Sequence, residues 1–216
     1  MPTTTYFDGS GIAANSRVLA LAAITASNEV WTEFNKLWLQ ALTFAGVPAP
    51  WHTTKFVSDK KSSTPRIPTE LLNVLGLAPV RELNFVSVAI EKVASQELRD
   101  RPELKVPSDA EICLNLCLRG IGVAQSDVGK GDCMRLLFDR SEPFINHLKQ
   151  QWLAGRRRSK QMREGWPWQT YEIEPAVATE HPGIQAADLI SWVVRSTYEY
   201  GDCYADPNGY PAVAVQ

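Results

Sequence analysis

Three aspartates stand where an acid is hard to explain by packing alone. Asp8 and Asp139 each close a short apolar run, and Asp188 lies among small and apolar residues in the segment 182–190. An ionised carboxylate next to an apolar surface is unfavourable unless a positive charge compensates it, and a divalent cation does so well. If the fold brings the three together, they form a metal site.

Each aspartate also has a simpler interpretation. Asp8 precedes a glycine-rich turn, where its carboxylate could bond backbone amides. Asp139 could be an ordinary loop acid ahead of a helix. Asp188 could form a buried ion pair with Arg17 or Arg195.

Three further side chains could serve the same chemistry. Gln185 precedes Asp188 by three residues, about 4.5 Å along a helix, so both can point at one site, where Gln185 would position a ligand or water. His52 and His181 could orient a water or a phosphate, although His181 also fits an ordinary helix start. Two metal ions clamped by carboxylates activate a water and stabilise the leaving oxygen in phosphodiester hydrolysis.

One concentrated basic segment precedes two tryptophans, at residues 155–163. Cations that release counterions from phosphates, beside aromatic rings that stack on bases, suit a groove for a nucleic-acid strand. A solvated helix end is the alternative. The predicted nucleic-acid-binding residues are Arg156, Arg157, Arg158, Lys160 and Arg163.

The composition predicts a single domain over residues 1–216, because 44% of its residues are hydrophobic and 21% are charged. The formal net charge of -2 gives no global attraction to nucleic acid. Neither a signal peptide nor a spanning segment is evident, so we expect no membrane association and a cytoplasmic protein. The cysteines lack metal-site spacing, and Cys113 and Cys117 read as buried free thiols on one helix face.

Hydrophobic periodicity predicts an alternating order of elements. Three leading strands followed by strands that alternate with helices favour an α/β fold with a mixed five-stranded sheet, helices on both faces and a helical insertion after the second strand. We expect a charged loop to follow the third strand. The predicted strands are 4–7, 17–25, 84–91, 133–139 and 168–174; the predicted helices are 28–46, 109–124, 142–162 and 182–200, and the insertion at about 48–83 contains a short helix at 68–76.

This order resembles the ribonuclease H-like superfamily. More specifically, the chain resembles the domain of unknown function 3800 family, mostly bacterial and phage proteins predicted to be nucleases of that fold. The resemblance spans nearly the whole chain, and its last block is the most specific. It rests on Tyr6-Phe7-Asp8-Gly9-Ser10-Gly11, His52-Thr53-Thr54, Leu136-Leu137-Phe138-Asp139 and Pro182-Gly183-Ile184-Gln185-Ala186-Ala187-Asp188-Leu189.

The resemblance implies a nuclease that uses Mg²⁺ or Mn²⁺ to hydrolyse DNA or RNA. It also makes Glu111 a further candidate metal ligand, because ribonuclease H-type enzymes place an acid at the start of that helix; a capping box with Ser108 is the alternative. Gly9 and Lys55 stand where the family often has acids. A catalytically silent protein that binds nucleic acid or a partner is therefore the second interpretation.

Overall fold

A computed structural model describes residues 3–13, 15–53, 55–56, 67–77, 82–124, 134–140, 146 and 171–200. These residues contain five strands and five helices. The strands are β1 (Thr3–Ser10), β2 (Val18–Ser27), β3 (Asn84–Glu91), β4 (Met134–Asp139) and β5 (Tyr171–Ala176). The helices are α1 (Asn28–Phe44), α2 (Thr69–Gly76), α3 (Lys92–Arg99), α4 (Asp109–Ala124) and α5 (Pro182–Tyr200).

The strands form one mixed sheet in the order β3-β2-β1-β4-β5. β2 runs antiparallel to β1 and β3, whereas β4 is parallel to β1 and β5 is parallel to β4. A meander of three strands extended by two parallel strands on the β1 side is the arrangement of the ribonuclease H-like fold. The chain has this fold, and the predicted five-stranded sheet with a helical insertion after β2 is confirmed.

Helices cover both faces of the sheet. Because successive side chains of a strand point to opposite faces, Tyr6 packs with α1 and α5 on one face, while Phe7 packs with α4 on the other. We call the first the α5 face. Trp38 and Trp51 are fully buried there, and each such burial contributes roughly 1.5–3 kcal/mol.

α1 is the predicted amphipathic helix. The hydroxyl of Ser27 caps it by accepting a hydrogen bond from Val30 N at 3.4 Å. Its buried face follows the predicted helical spacing: Val30, Trp31, Phe34, Trp38, Ala41 and Leu42. Beyond its last residue, Gly46 takes a positive φ of 65°, which reverses the chain toward the Trp51 segment.

Two element predictions were wrong in detail. α3 occupies Lys92–Arg99, where a charged loop was expected. Its apolar residues Val93 and Leu98 are exposed, and a 2.7 Å ion pair between Arg99 and Asp109 connects it to the start of α4. β5 (Tyr171–Ala176) extends two residues beyond the predicted end at 174, and positions 168–170 of the prediction lie outside the described residues. The predicted helix 142–162 lies outside the described residues except for position 146.

The prediction for two of the four cysteines is confirmed. Cys113 and Cys117 are free, fully buried thiols on α4. Burial raises the pKa of the Cys113 thiol to about 12, so the thiol stays protonated and unreactive at neutral pH. The other two cysteines lie outside the described residues. Among the helices that the structure describes, none is long and apolar enough to cross a membrane.

Candidate active site

Asp8 and Asp139 lie side by side at the carboxyl ends of β1 and β4. The two strands are parallel neighbours and Phe7 pairs with Phe138, so the next residue on each strand is the aspartate. Adjacent strands are about 4.8 Å apart. Since the two phenylalanines point into the α4 side of the sheet, both aspartates project from the α5 face.

α5 brings Asp188 close to Asp139. Ala186 and Ala187 are fully buried, so the helix approaches the sheet closely. A Cβ added at Gly183 would overlap the ring of Tyr6, whose Cγ lies only 2.7 Å from it. Only glycine fits at that position. The first and last sequence blocks of the predicted site are therefore in direct contact.

The surroundings of Asp188 carry opposing electrostatic effects. Burial raises the pKa of its carboxyl group, hydrogen bonds from Thr53 and the nearby His52 lower it, and the negative charge of Asp139 raises it again; the net shift is upward. Asp139 and Asp188 are thus close enough to repel each other. The alternative of a buried ion pair does not describe Asp188, since Arg17 pairs with Glu91 and Arg195 pairs with Glu199 in the structure.

Thr53 holds the carboxylate of Asp188 directly. Its backbone N–H donates to Asp188 Oδ2 at 2.8 Å, and its side chain, like its backbone, lowers the pKa of that carboxyl group. The hydroxyl also accepts a 2.7 Å hydrogen bond from the indole of Trp51. In the sequence, only the His52-Thr53-Thr54 block points to this contact, because a threonine alone predicts no particular chemistry.

Gln185 has a different role from the one predicted. Its Oε1 accepts hydrogen bonds from Trp38 Nε1 at 3.0 Å and from Trp51 N at 2.9 Å, and its Nε2 donates to Ala178 O at 2.6 Å. With 1% of its surface exposed, the side chain is committed to protein contacts rather than to a ligand or water. Gln185 fixes the Trp51 segment against α5 and so positions Asp188's partner.

His52 lies between two anchored neighbours, Trp51 and Thr53. Its side chain is exposed, yet it is near enough to lower the pKa of Asp188. The backbone continues as a helical turn in which Phe56 N donates to His52 O at 2.9 Å, and this turn carries Lys55. The structure therefore places an exposed imidazole near the carboxylate of Asp188.

The structure supports the turn interpretation for Asp8 in part. The N–H of Gly9 donates to Asp8 Oδ1 at 2.8 Å, and Asp8 is 9% exposed. This contact occupies one lone pair of one oxygen and fixes the direction of the carboxylate.

Glu111 has the capping role that was considered as its alternative. Ser108 N donates to Glu111 Oε2 at 2.8 Å, and Glu111 N donates back to Ser108 Oγ at 3.3 Å. The buried residues of α4 belong to the opposite face of the sheet from Asp8, Asp139 and Asp188. The prediction that Glu111 is a fourth metal ligand receives no support from this position.

His181 lies at the start of α5 rather than with the aspartates. Its ring contacts Tyr6, with His181 Nδ1 3.4 Å from the Tyr6 hydroxyl, and burial lowers its pKa. The helix-start interpretation describes this residue. The basic residues Arg156, Arg157, Arg158, Lys160 and Arg163 lie outside the described residues.

The donor chemistry of the aspartate group suits a hard cation. Its oxygen-only ligands, two of which repel each other, match Mg²⁺ or Mn²⁺. Among the described residues, no three His, Cys, Asp or Glu side chains are arranged closely enough to hold a metal on their own. Mg²⁺ does not require that, since it usually binds through one or two carboxylates, several waters and substrate phosphates.

Comparison with known proteins gives no family for this chain. No family model matches it, and no curated protein matches it. Among solved structures it is similar to ribonuclease HII in its PCNA complex from Archaeoglobus fulgidus, at 12% identity and a TM-score of 0.47, covering 98% of this chain and 83% of that chain. It is also similar to ribonuclease H2 from Pyrococcus horikoshii OT3, at 11% identity and a TM-score of 0.48, covering 98% and 82%.

A further similarity is to Bst-RNase HIII in complex with Mn²⁺, at 9% identity and a TM-score of 0.49, covering 89% of this chain and 51% of that chain. The sequence identities and TM-scores of all three comparisons are those of distantly similar proteins. They leave the activity, substrate and metal of this chain to be inferred from its own residues.

Proposed function

We propose that this protein is a nuclease that hydrolyses phosphodiester bonds of DNA or RNA with Mg²⁺ or Mn²⁺ held by Asp8, Asp139 and Asp188. The observation that carries the proposal is the convergence of these aspartates. Asp8 and Asp139 end adjacent parallel strands, and Asp188 faces Asp139 from α5. Mutually repelling carboxylates at one end of a sheet are the arrangement that a divalent cation stabilises.

The same contacts support membership of the domain of unknown function 3800 family as a second part of the proposal. Blocks far apart in sequence meet through specific contacts in the fold. Tyr6 packs on Gly183, and Thr53 bonds Asp188. The third block ends at Asp139, whose charge acts on Asp188.

The residues around the site would act by positioning and charge. When bound, the metal ions would supply an activated water and stabilise the leaving oxygen. Thr53 holds Asp188 in one orientation, and Gly9 N–H fixes Asp8. The exposed His52 beside Asp188 can contact a phosphate oxygen or a water. The segment from Arg156 to Arg163 would bind the strand backbone.

A cleavage panel tests the proposal. Single-stranded, double-stranded and hybrid DNA and RNA are incubated with Mg²⁺ or Mn²⁺ and either the wild type, Asp139→Asn or Asp188→Asn. We expect the wild type to cleave at least one substrate. Each substitution should lower the rate by more than the roughly 10–100-fold loss that is typical for an outer partner of a metal ligand.

Asp100→Asn is the matched control. Asp100 is an exposed aspartate that follows α3, and its side chain accepts a hydrogen bond from Gln96. The Asp100→Asn variant should cleave the same substrates at the wild-type rate. Equal losses in all three variants, or cleavage that survives in both site variants, would contradict the proposal.

The second candidate function is a catalytically silent protein that binds nucleic acid or a partner. Gly9 removes an acid from the first block, and Lys55 places a cation on the turn that follows Thr53. For such a protein we expect no cleavage and retained binding. Fluorescence anisotropy would show that binding weakens when Arg156, Arg157 and Arg158 become alanine but is unchanged in Asp139→Asn.

A further inference from the structure

We propose that Thr53 is the positioning residue for Asp188 and that its hydroxyl group determines how tightly the site binds a divalent cation. The inference rests on the proposed function, because it takes Asp188 as a metal ligand. Thr53 is fully buried although its segment lies outside any long helix or strand. Its position therefore depends on side-chain contacts.

The direction of the hydroxyl proton follows from the partner on its other side. The indole N–H of Trp51 can only donate, so Thr53 Oγ1 is the acceptor in their 2.7 Å contact. The hydroxyl proton is then left to point at the Asp188 carboxylate, which Thr53 also bonds through its backbone N–H at 2.8 Å. Thr53 thus offers Asp188 its backbone N–H at 2.8 Å and a hydroxyl whose proton does not face Trp51.

Trp51 is itself held in place by buried contacts. Its backbone N–H donates to Gln185 Oε1, which also accepts from Trp38 on α1. A continuous set of hydrogen bonds therefore connects α1, the Trp51 segment and α5, and it ends at Asp188. Such outer partners restrict a ligand's rotamers and orient the lone pairs that face the metal.

The test measures Mn²⁺ binding by isothermal titration calorimetry, independently of any nucleic-acid substrate. Thr53→Val keeps the shape and the backbone N–H but removes the hydroxyl; Thr53→Ser keeps the hydroxyl. We expect Thr53→Val to weaken Mn²⁺ binding by about 10-fold or more, as for other lost outer partners of metal ligands. Thr53→Ser should bind close to the wild-type affinity.

Thr25→Val is the matched structural control. Thr25 is equally buried, and its hydroxyl bonds that of Thr5 at 2.8 Å, three residues or about 10 Å along β1 from Asp8. Thermal unfolding without metal is recorded for every variant. Thr25→Val should lose stability while keeping the wild-type Mn²⁺ affinity.

Each outcome decides between the two proposals. Wild-type affinity in Thr53→Val, or an equal loss in Thr25→Val, would overturn the role of Thr53 and leave the proposed function standing. A wild-type protein that binds no Mn²⁺ would overturn both. If Thr53→Val unfolds too readily to be titrated, Trp51→Phe removes the donor that orients the hydroxyl; weakened binding supports the inference, and unchanged binding overturns it.

Discussion

Two acids on α5 have pKa values that are shifted in opposite directions. Asp188 is destabilised by burial and by the charge of Asp139, so the pKa of its carboxyl group is raised. Burial would also raise the pKa of Glu199, but hydrogen bonds from Ser16 and from backbone N–H groups, together with Arg195, lower it below its ordinary value. We infer that Glu199 stabilises the folded chain, whereas Asp188 is retained for another purpose.

The stability of the folded protein should therefore depend on pH through Glu199. Its Oε1 accepts from Ser16 Oγ at 2.6 Å, Arg17 N at 2.9 Å and Val18 N at 3.2 Å. Because its folded pKa is lowered, the stabilisation is complete above the ordinary value of 4.5 and is lost as the pH falls through the folded pKa. We expect Glu199→Gln to lower the free energy of unfolding at pH 7 by about 1–2 kcal/mol.

Urea unfolding at pH 7 and near pH 3 measures this effect. The difference between wild type and Glu199→Gln should shrink at the lower pH, because protonation of Glu199 removes the charge that its partners stabilise. Glu97→Gln, at an exposed position on α3, serves as the control and should match the wild type at both values. A difference that is the same at both pH values would contradict the assignment.

At the scale of residues, sequence reasoning identified the charged groups better than their neutral partners. Asp139 and Asp188 could be predicted to meet because an acid beside an apolar surface needs an explanation. The role of Gln185 could not, since its partners Trp38 and Trp51 lie 147 and 134 residues away in sequence. No local pattern encodes a contact at that distance, and a glutamine suits a ligand as well as a structural hydrogen bond.

α5 and β1 form the closest contact between elements near the site. Gly183 sits in the first turn of α5 directly against the ring of Tyr6. The contact sets how deeply the helix lies on the sheet, and thereby how far Asp188 reaches toward the ends of β1 and β4.

Gly183→Ala should consequently destabilise the protein and displace α5. The added Cβ would overlap Tyr6, and such overpacking typically costs about 1–3 kcal/mol. Thermal unfolding checks the prediction. Gly76→Ala at the end of α2, where an added Cβ meets nothing within 4 Å, is the control and should melt at or above the wild-type temperature. Wild-type stability in Gly183→Ala would show that α5 is not held by this contact.

At the scale of elements, periodicity predicted what depends on local burial. β2 is buried along nearly its whole length, and α1 has one buried face, so both were predictable. α3 was not, because its buried residue is Ser95 and its apolar residues Val93 and Leu98 are exposed. A short helix that buries no large apolar side chain is hard to distinguish from a charged loop in the sequence.

The location of the site follows from the topology of the whole molecule. β1 and β4 are parallel neighbours at the centre of the sheet, so their carboxyl ends lie side by side, and α5 packs over β1 and β2 on one face. The sequence predicted the order of elements and therefore this meeting point. The segment that holds Asp188 from the other side, around Trp51 and Thr53, follows from tertiary packing that the order of elements does not specify.

The central claim is that Asp8, Asp139 and Asp188 hold a divalent cation. Anomalous diffraction from crystals soaked in Mn²⁺ tests it most directly. We predict a peak within the carboxylate coordination distance of Asp139 and Asp188, adjacent to Asp8, that disappears in crystals of Asp188→Asn. The claim would be contradicted if fully soaked crystals showed no anomalous peak at the ends of β1 and β4. A peak that persists in Asp188→Asn would contradict it as well.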